Sequence, residues 1–124
     1  MTTAYEVGKK LVELCKAHKN LDAIDSLYAK DVVSVEAVQF PGAQQEVQGV
    51  EAVRAKSVQW GKDNEVHSGS TDGPWPHGDR FIVHFSYDVT NKPTGQRRKL
   101  DEAALFTVKD GKIVREEFFY PVPG

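Results

Sequence analysis

The chain has 124 residues, 40% hydrophobic and 27% charged, with a formal net charge of −2. That length suits one domain, spanning 1–124, with a core of its own, and the charge balance leaves no basic footprint for nucleic acid. A single cysteine excludes an internal disulfide and a thiol-based zinc site, and no stretch is long and apolar enough for a membrane span. The expected setting is cytoplasmic.

Ala4, Val7, Leu11, Leu14, Cys15 and His18 recur at helical spacing, with Lys9, Lys10, Glu13, Lys16 and Lys19 on the opposite side. An amphipathic helix over 3–19 follows, with Cys15 as a structural thiol on its apolar stripe. Asn20 reads as the N-cap of a shorter helix carrying Leu21, Ile24, Leu27 and Tyr28. Tyr28 enters the core, where its hydroxyl needs a partner. Asp31–Val38 is the first strand, with Val33, Val35 and Ala37 facing one way and Val32, Ser34 and Glu36 the other. Pro41-Gly42 marks a loop, either a plain connection or a rim over a pocket. Gly49 precedes a third helix from Val50 to about Lys62, with Val50, Val53, Ser57 and Trp60 on one side; Trp60 serves as core or as pocket wall.

The second half reads as strands. Asn64–Thr71 is small and polar, leaving the facing of His67 open, and Asp72–Asp79 is a turn-rich connection in which Trp75 packs on the sheet end. His77 has no companion at metal-ligand spacing. Phe81, Val83, Phe85, Tyr87 and Val89 form one apolar face, placing Ile82, His84 and Ser86 on the outer face, where a second subunit could dock. The last two strands join at Lys109-Asp110-Gly111, a hairpin turn. Leu100, Glu102, Ala104, Phe106 and Val108 share one face of the first, and Val114, Glu116, Phe118 and Tyr120 one face of the second. Two glutamates, Glu102 and Glu116, therefore stand among apolar side chains. Desolvation raises such carboxyls toward the range useful for acid/base work near neutral pH. The structural alternative pairs one with Arg98 or Arg115 at the sheet edge and leaves the other in water. The tail from Pro121 to Gly124 is expected to end without further structure.

The order α-α-β-α followed by four antiparallel strands requires the helices to cover one face of the sheet. A curved sheet over helices encloses a conical cavity with walls from Val35, Trp60, Phe85, Tyr87, Phe118 and Tyr120.

Four segments resemble SnoaL-like proteins of the nuclear transport factor 2 superfamily: Leu27-Tyr-Ala-Lys-Asp-Val-Val-Ser-Val35, Val47-Gln-Gly-Val-Glu-Ala-Val-Arg54, Asp110-Gly-Lys-Ile-Val-Arg115 and the closing Glu-Phe-Phe-Tyr120. The resemblance implies a cone-shaped α+β fold, three N-terminal helices on a strongly curved, mostly antiparallel sheet, and commonly a homodimer through that sheet. It does not carry the ketosteroid isomerase mechanism. The base of that enzyme falls on Ala37, its first-helix tyrosine on Val12, and its second acid on or near Ala103, beside Glu102. A one-residue slip in the hairpin would bring Glu102 to that second position; only the helix-two aromatic matches, as Tyr28. SnoaL-type cyclases use an inward acid for aldol closure, a role open to Glu102 or Glu116. Two readings follow. One is an enzyme that isomerises, cyclises or dehydrates a small hydrophobic carbonyl compound with Glu102 and Glu116 as acid/base pair and no cofactor or metal. Tyr28, Tyr87 and Tyr120 would orient the substrate there. The other is a noncatalytic small-molecule-binding or dimeric accessory protein. Nuclear transport has no support beyond the shared fold.

Overall fold

A computed structural model describes residues 2–121 of the chain. The expected unstructured tail lies outside the described residues from 122 onward. Helix α1 (Ala4–Lys16) opens at Thr3, whose hydroxyl accepts the Glu6 amide at 3.2 Å, and Glu6 reaches back to that hydroxyl. This is a side-chain N-cap, and it fixes where the helix starts. At the other end the Lys19 amide bonds the Leu14 carbonyl and the His18 amide that of Cys15, with His18 at φ 60°. That Schellman closure places Lys19 directly at the cap of α2 (Asn20–Leu27). Asn20 is therefore the first helical residue and makes no side-chain cap, unlike the expectation from its residue type.

Strand β1 (Tyr28–Val35) follows, then short β2 (Glu46–Gln48), α3 (Val50–Asp63), β3 (Asn64–His77), β4 (Arg80–Asn91), β5 (Gln96–Lys109) and β6 (Lys112–Phe119). The sheet order is β2-β1-β6-β5-β4-β3. Strands β3 to β6 form the expected antiparallel meander, and β1 joins it by pairing parallel with β6. The α+β cone of three helices on a curved sheet is the architecture expected from the sequence.

The core lies between α1, α2 and the inner face of the meander. Phe81 and Phe106 stack there with centroids 4.9 Å apart, both fully buried beside Val7, Val83 and Ala104. Each buried aromatic contributes on the order of 2 kcal/mol through apolar area alone. The turn between β5 and β6 has Asp110 at φ 52° and Gly111 at φ 76°, two successive left-handed residues that match a tight hairpin.

Four expectations need correction. The inward face of β1 is Val32 and Ser34, both fully buried, continuing to Glu36; Val33 and Val35 lie on the other face, beside Arg115 and Glu117 of β6. The apolar-rich set thus faces away from the helices, because the polar set has partners inside. In β6 the inward residue is Ile113, fully buried, rather than Val114. A bulge sets Val108 against Ile113 but Thr107 against Arg115, so Val114 is the extra residue. The segment at 72–77 is the continuation of β3, not a turn-rich connection. As an edge strand, with an irregularity between Asp72 and Trp75, it tolerates its prolines. Trp75 is exposed on that edge beside Ile82 and does not pack on the sheet end.

Candidate functional site

Helices and inner sheet face enclose a cavity of about 1280 Å³ that opens to solvent. Every side chain expected from the sequence to border it does so except Val35: Glu102, Glu116, Tyr28, Trp60, Phe85, Tyr87, Phe118 and Tyr120 are all present. Val35 sits on the outer face for the reason given above. Trp60 is half-exposed and tilts against Tyr87 at 6.2 Å, which in turn stacks on Phe85 at 6.0 Å. Trp60 is thus wall rather than core. Phe40, from the loop after β1, stacks on Tyr120 at 6.3 Å and reaches the same cavity.

Two polar groups occupy different depths. The deeper one is Glu116, in the middle of β6 and 4% exposed. Tyr28, at the α2–β1 junction, donates its phenol hydrogen to Glu116, so the buried hydroxyl has the partner it requires. Burial raises the Glu116 carboxyl above the usual range, opposed by the Tyr28 and Ser34 hydrogen bonds and by Lys56. Burial and then the Glu116 charge raise the Tyr28 phenol well above its own. The second group lies nearer the opening. Lys56 of α3 donates to Glu36 at 2.9 Å and to Ser34 at 2.6 Å, and sits 5.4 Å above the Phe118 ring. Tyr120 donates to the other oxygen of Glu36 at 3.0 Å.

Glu102 stands apart from both. It has no side-chain hydrogen bond among the described residues, and its carboxyl is pushed up to about 7. Burial is the main cause, followed by the Glu36 and then the Glu116 charge, with Lys56 opposing. Strand register explains why Glu36 weighs more. The residue opposite Glu116 on β5 is Phe106, whereas Ala103 faces Phe119, so Glu102 falls beside Tyr120 and its partner Glu36. Alternation placed Glu102 and Glu116 on one face but could not show that stagger. Neither forms the edge pair of the structural alternative: Arg115 bonds Glu117 at 2.5 Å on the outer face.

Glu36 and Lys56 are two polar cavity residues that the sequence did not single out. A signal existed for each. Glu36 alternates with Val32 and Ser34, and Lys56 lies three residues after Val53 and four before Trp60, on the helix face that carries both. Ala103 faces outward between His84 and Phe119, so an acid there would not reach the cavity, while Glu102 does. Cys15 borders the cavity as a half-buried thiol raised to about 11, by burial first and the Glu116 charge second. His67 bonds Thr90 at 2.7 Å on the outer face, which settles its direction. His84 is also outward, bonded to Asp101. Among the described residues no cluster of His, Cys, Asp or Glu could hold a metal ion, and no helix is long and apolar enough to cross a membrane.

The comparisons with known proteins agree with this architecture. The SnoaL-like domain family matches residues 1–120. A candidate SnoaL-like polyketide cyclase from Mesorhizobium loti shares 43% identity and superposes with a TM-score of 0.91, over 96% of this chain and 100% of that one. An NTF2-like protein from Burkholderia thailandensis is 24% identical with a TM-score of 0.79, over 98% and 92% of the two chains. A protein of ketosteroid isomerase-like fold from Catenulispora acidiphila, solved with trimethylamine, is 20% identical with a TM-score of 0.73, over 98% and 88%. No curated protein matches significantly. The helices-on-sheet cone, the match along almost the whole length and the 43% identity together make this chain a member of the SnoaL-like family.

Proposed function

We propose that the protein is a small acid/base enzyme, independent of any cofactor, that isomerises, cyclises or dehydrates a hydrophobic carbonyl compound. The observation that carries this reading is Glu102: a carboxyl poised at about 7, without a hydrogen-bond partner, on the wall of an aromatic-sided cavity. A base with that value is half ionised at neutral pH and suits proton abstraction beside a carbonyl. Ionised Glu102 takes a proton from the carbon next to the carbonyl, the C–H electrons move into the enolate, and the proton returns at a second carbon or to a leaving hydroxyl. Glu116, whose carboxyl burial raises, offers a hydrogen bond to the enolate oxygen when it carries a proton, with Tyr28 behind it. Tyr87 and Tyr120 orient the substrate and Trp60, Phe85 and Phe118 hold its apolar body. The likeness to a candidate polyketide cyclase supports the substrate class. The protein would act in the cytoplasm as a homodimer joined through the outer sheet face, where Ile82 and Phe119 are exposed.

A second reading, a noncatalytic small-molecule binder, is favoured by the mutual engagement of Glu36, Lys56 and Tyr120 and of Tyr28 with Glu116. Solvent deuterium exchange into the α-carbon of a neutral cyclic ketone such as 1-tetralone, followed by NMR, separates the two. The enzyme reading expects exchange above the buffer rate, rising through about pH 7, and lost in Glu102→Gln with ketone affinity kept. Exchange equal in the wild type and in Glu102→Gln would leave the binder.

A further inference from the structure

The opening of the cavity carries a charge pattern of opposite sign to its interior. On β5 the inward residues run Arg98, Leu100, Glu102, facing Val89, Tyr87 and Phe85 of β4. Arg98 is therefore the exposed, cavity-side end of the same strand face that bears Glu102. Its neighbour Arg97 points outward and forms a two-pronged pair with Asp88, both bonds at 3.0 Å. Arg98 has no such carboxylate among the described residues, although it borders the cavity. Lys16 and Lys19 from the end of α1 and Lys62 from the end of α3 border the same opening, each exposed and outside any ion pair among the described residues. Of the acidic residues that border the cavity nearby, Asp72 and Asp101 are engaged with His84, which leaves Asp22 outside any ion pair among the described residues. Lys16 and Lys62 also complement the carbonyl ends of their helices, whereas Arg98, in a strand, has no such role.

Inside, the negative charge is muted. Glu36 is matched by Lys56 at 2.9 Å, and Glu116 is raised by burial. Resting on the acid/base reading above, we infer that the substrate is an amphiphilic keto acid: an apolar carbonyl body inside the cavity and a carboxylate at the opening, held by Arg98. The guanidinium fork matches a carboxylate geometrically, and the lysines around it add field rather than direction. Four residue steps of extended strand take the chain from Arg98 to Glu102, roughly 13 Å between Cα atoms. The side chains of both shorten that span. A carboxylate a few bonds from the reacting carbonyl bridges the two, with Leu100 and Tyr87 beneath the connecting carbons.

The test uses 4-oxo-4-(2-naphthyl)butanoate, an aryl ketone bearing a carboxylate, against its neutral primary amide. Binding of each to the full chain is measured by titration calorimetry at pH 8 and low salt. The inference expects the carboxylate to bind at least fivefold more tightly than the amide, with the margin shrinking as salt is added. In Arg98→Gln the carboxylate should lose threefold or more while the amide stays within twofold, which also shows that the variant is folded. Equal affinity for the two probes, or a preference that survives Arg98→Gln, overturns the inference and leaves the cavity reading intact. Failure of both probes to bind the wild type overturns the cavity reading and this inference with it.

Discussion

Tyr28 and Glu116, separated by 88 residues of sequence, share a hydrogen bond at the floor of the cavity. The bond ties the end of α2 to the centre of β6, and it gives a buried carboxyl one of the few donors it can reach. Removing the hydroxyl in Tyr28→Phe should destabilise the protein by about 1–3 kcal/mol, the range for a buried polar group losing its partner. It should also move the Glu116 titration further upward, because that hydrogen bond is one of the forces lowering it. Urea unfolding reads the first effect as a lower midpoint at unchanged slope, and carboxyl carbon NMR reads the second. An unchanged midpoint would mean that the pair contributes nothing net.

Stability should depend on pH through Glu102. Its folded value of about 7 lies above the ordinary 4.5, so between those limits the folded state binds more protons than the unfolded one. Stability is then full below about pH 4.5, declines as pH rises, and is at its reduced level above about pH 7. The loss amounts to roughly 3 kcal/mol at most, from about 1.4 kcal/mol for each tenfold change in proton concentration. Glu102→Gln, which cannot ionise, should flatten that slope and unfold at higher denaturant than the wild type at pH 8. Parallel wild-type and variant curves between pH 5 and 8 would contradict the raised value.

Lys56 acts on both carboxyls from the helix side. Lys56→Met keeps the stem over Phe118 but removes the cation that lowers Glu102 and Glu116. The Glu102 midpoint should move upward from about 7. The loss of the contacts to Glu36 and Ser34 should cost about 1–2 kcal/mol. NMR titration and thermal unfolding give the two numbers. A Glu102 midpoint that falls, or stays, would show that Lys56 does not set it.

Gly69 lies under the ring of Tyr87. A Cβ there would stand 2.4 Å from Cδ1 of that ring and 3.2 Å from the Ser86 carbonyl oxygen. The ring has little room to yield, since it is stacked on Phe85 and tilted against Trp60. Gly69→Ala should therefore lower stability by about 1–3 kcal/mol as an overpacked site and change the Trp60 fluorescence. An alanine variant of wild-type stability and spectrum would show that Tyr87 can swing freely.

Most of the frame was legible because it rests on period and punctuation. The alternation around Phe81–Val89 and Leu100–Val108, and the Asp110-Gly111 turn, are local signals that the core needed. What escaped depended on neighbours distant in sequence. Val33 and Val35 look like the natural inward face of β1, yet Ser34 and Glu36 turn inward because Lys56 and Tyr120 wait for them. The rule that apolar faces point in fails where polar groups find partners inside, which is where sites are built. The bulge at Val114 and the stagger between Glu102 and Glu116 are register facts, and no one strand contains them.

The parallel seam between β1 and β6 gives the molecule a late lock. Ser34 and Glu116 are register partners across it, so the first strand of the sheet must wait for the sixth. Contacts that distant form slowly, and the acidic floor has no precursor in any shorter chain. Ahead of Lys112 the chain has neither Glu116 nor the strand that joins β1 to the meander. The floor of the cavity is thus complete only once β6 has paired with β1.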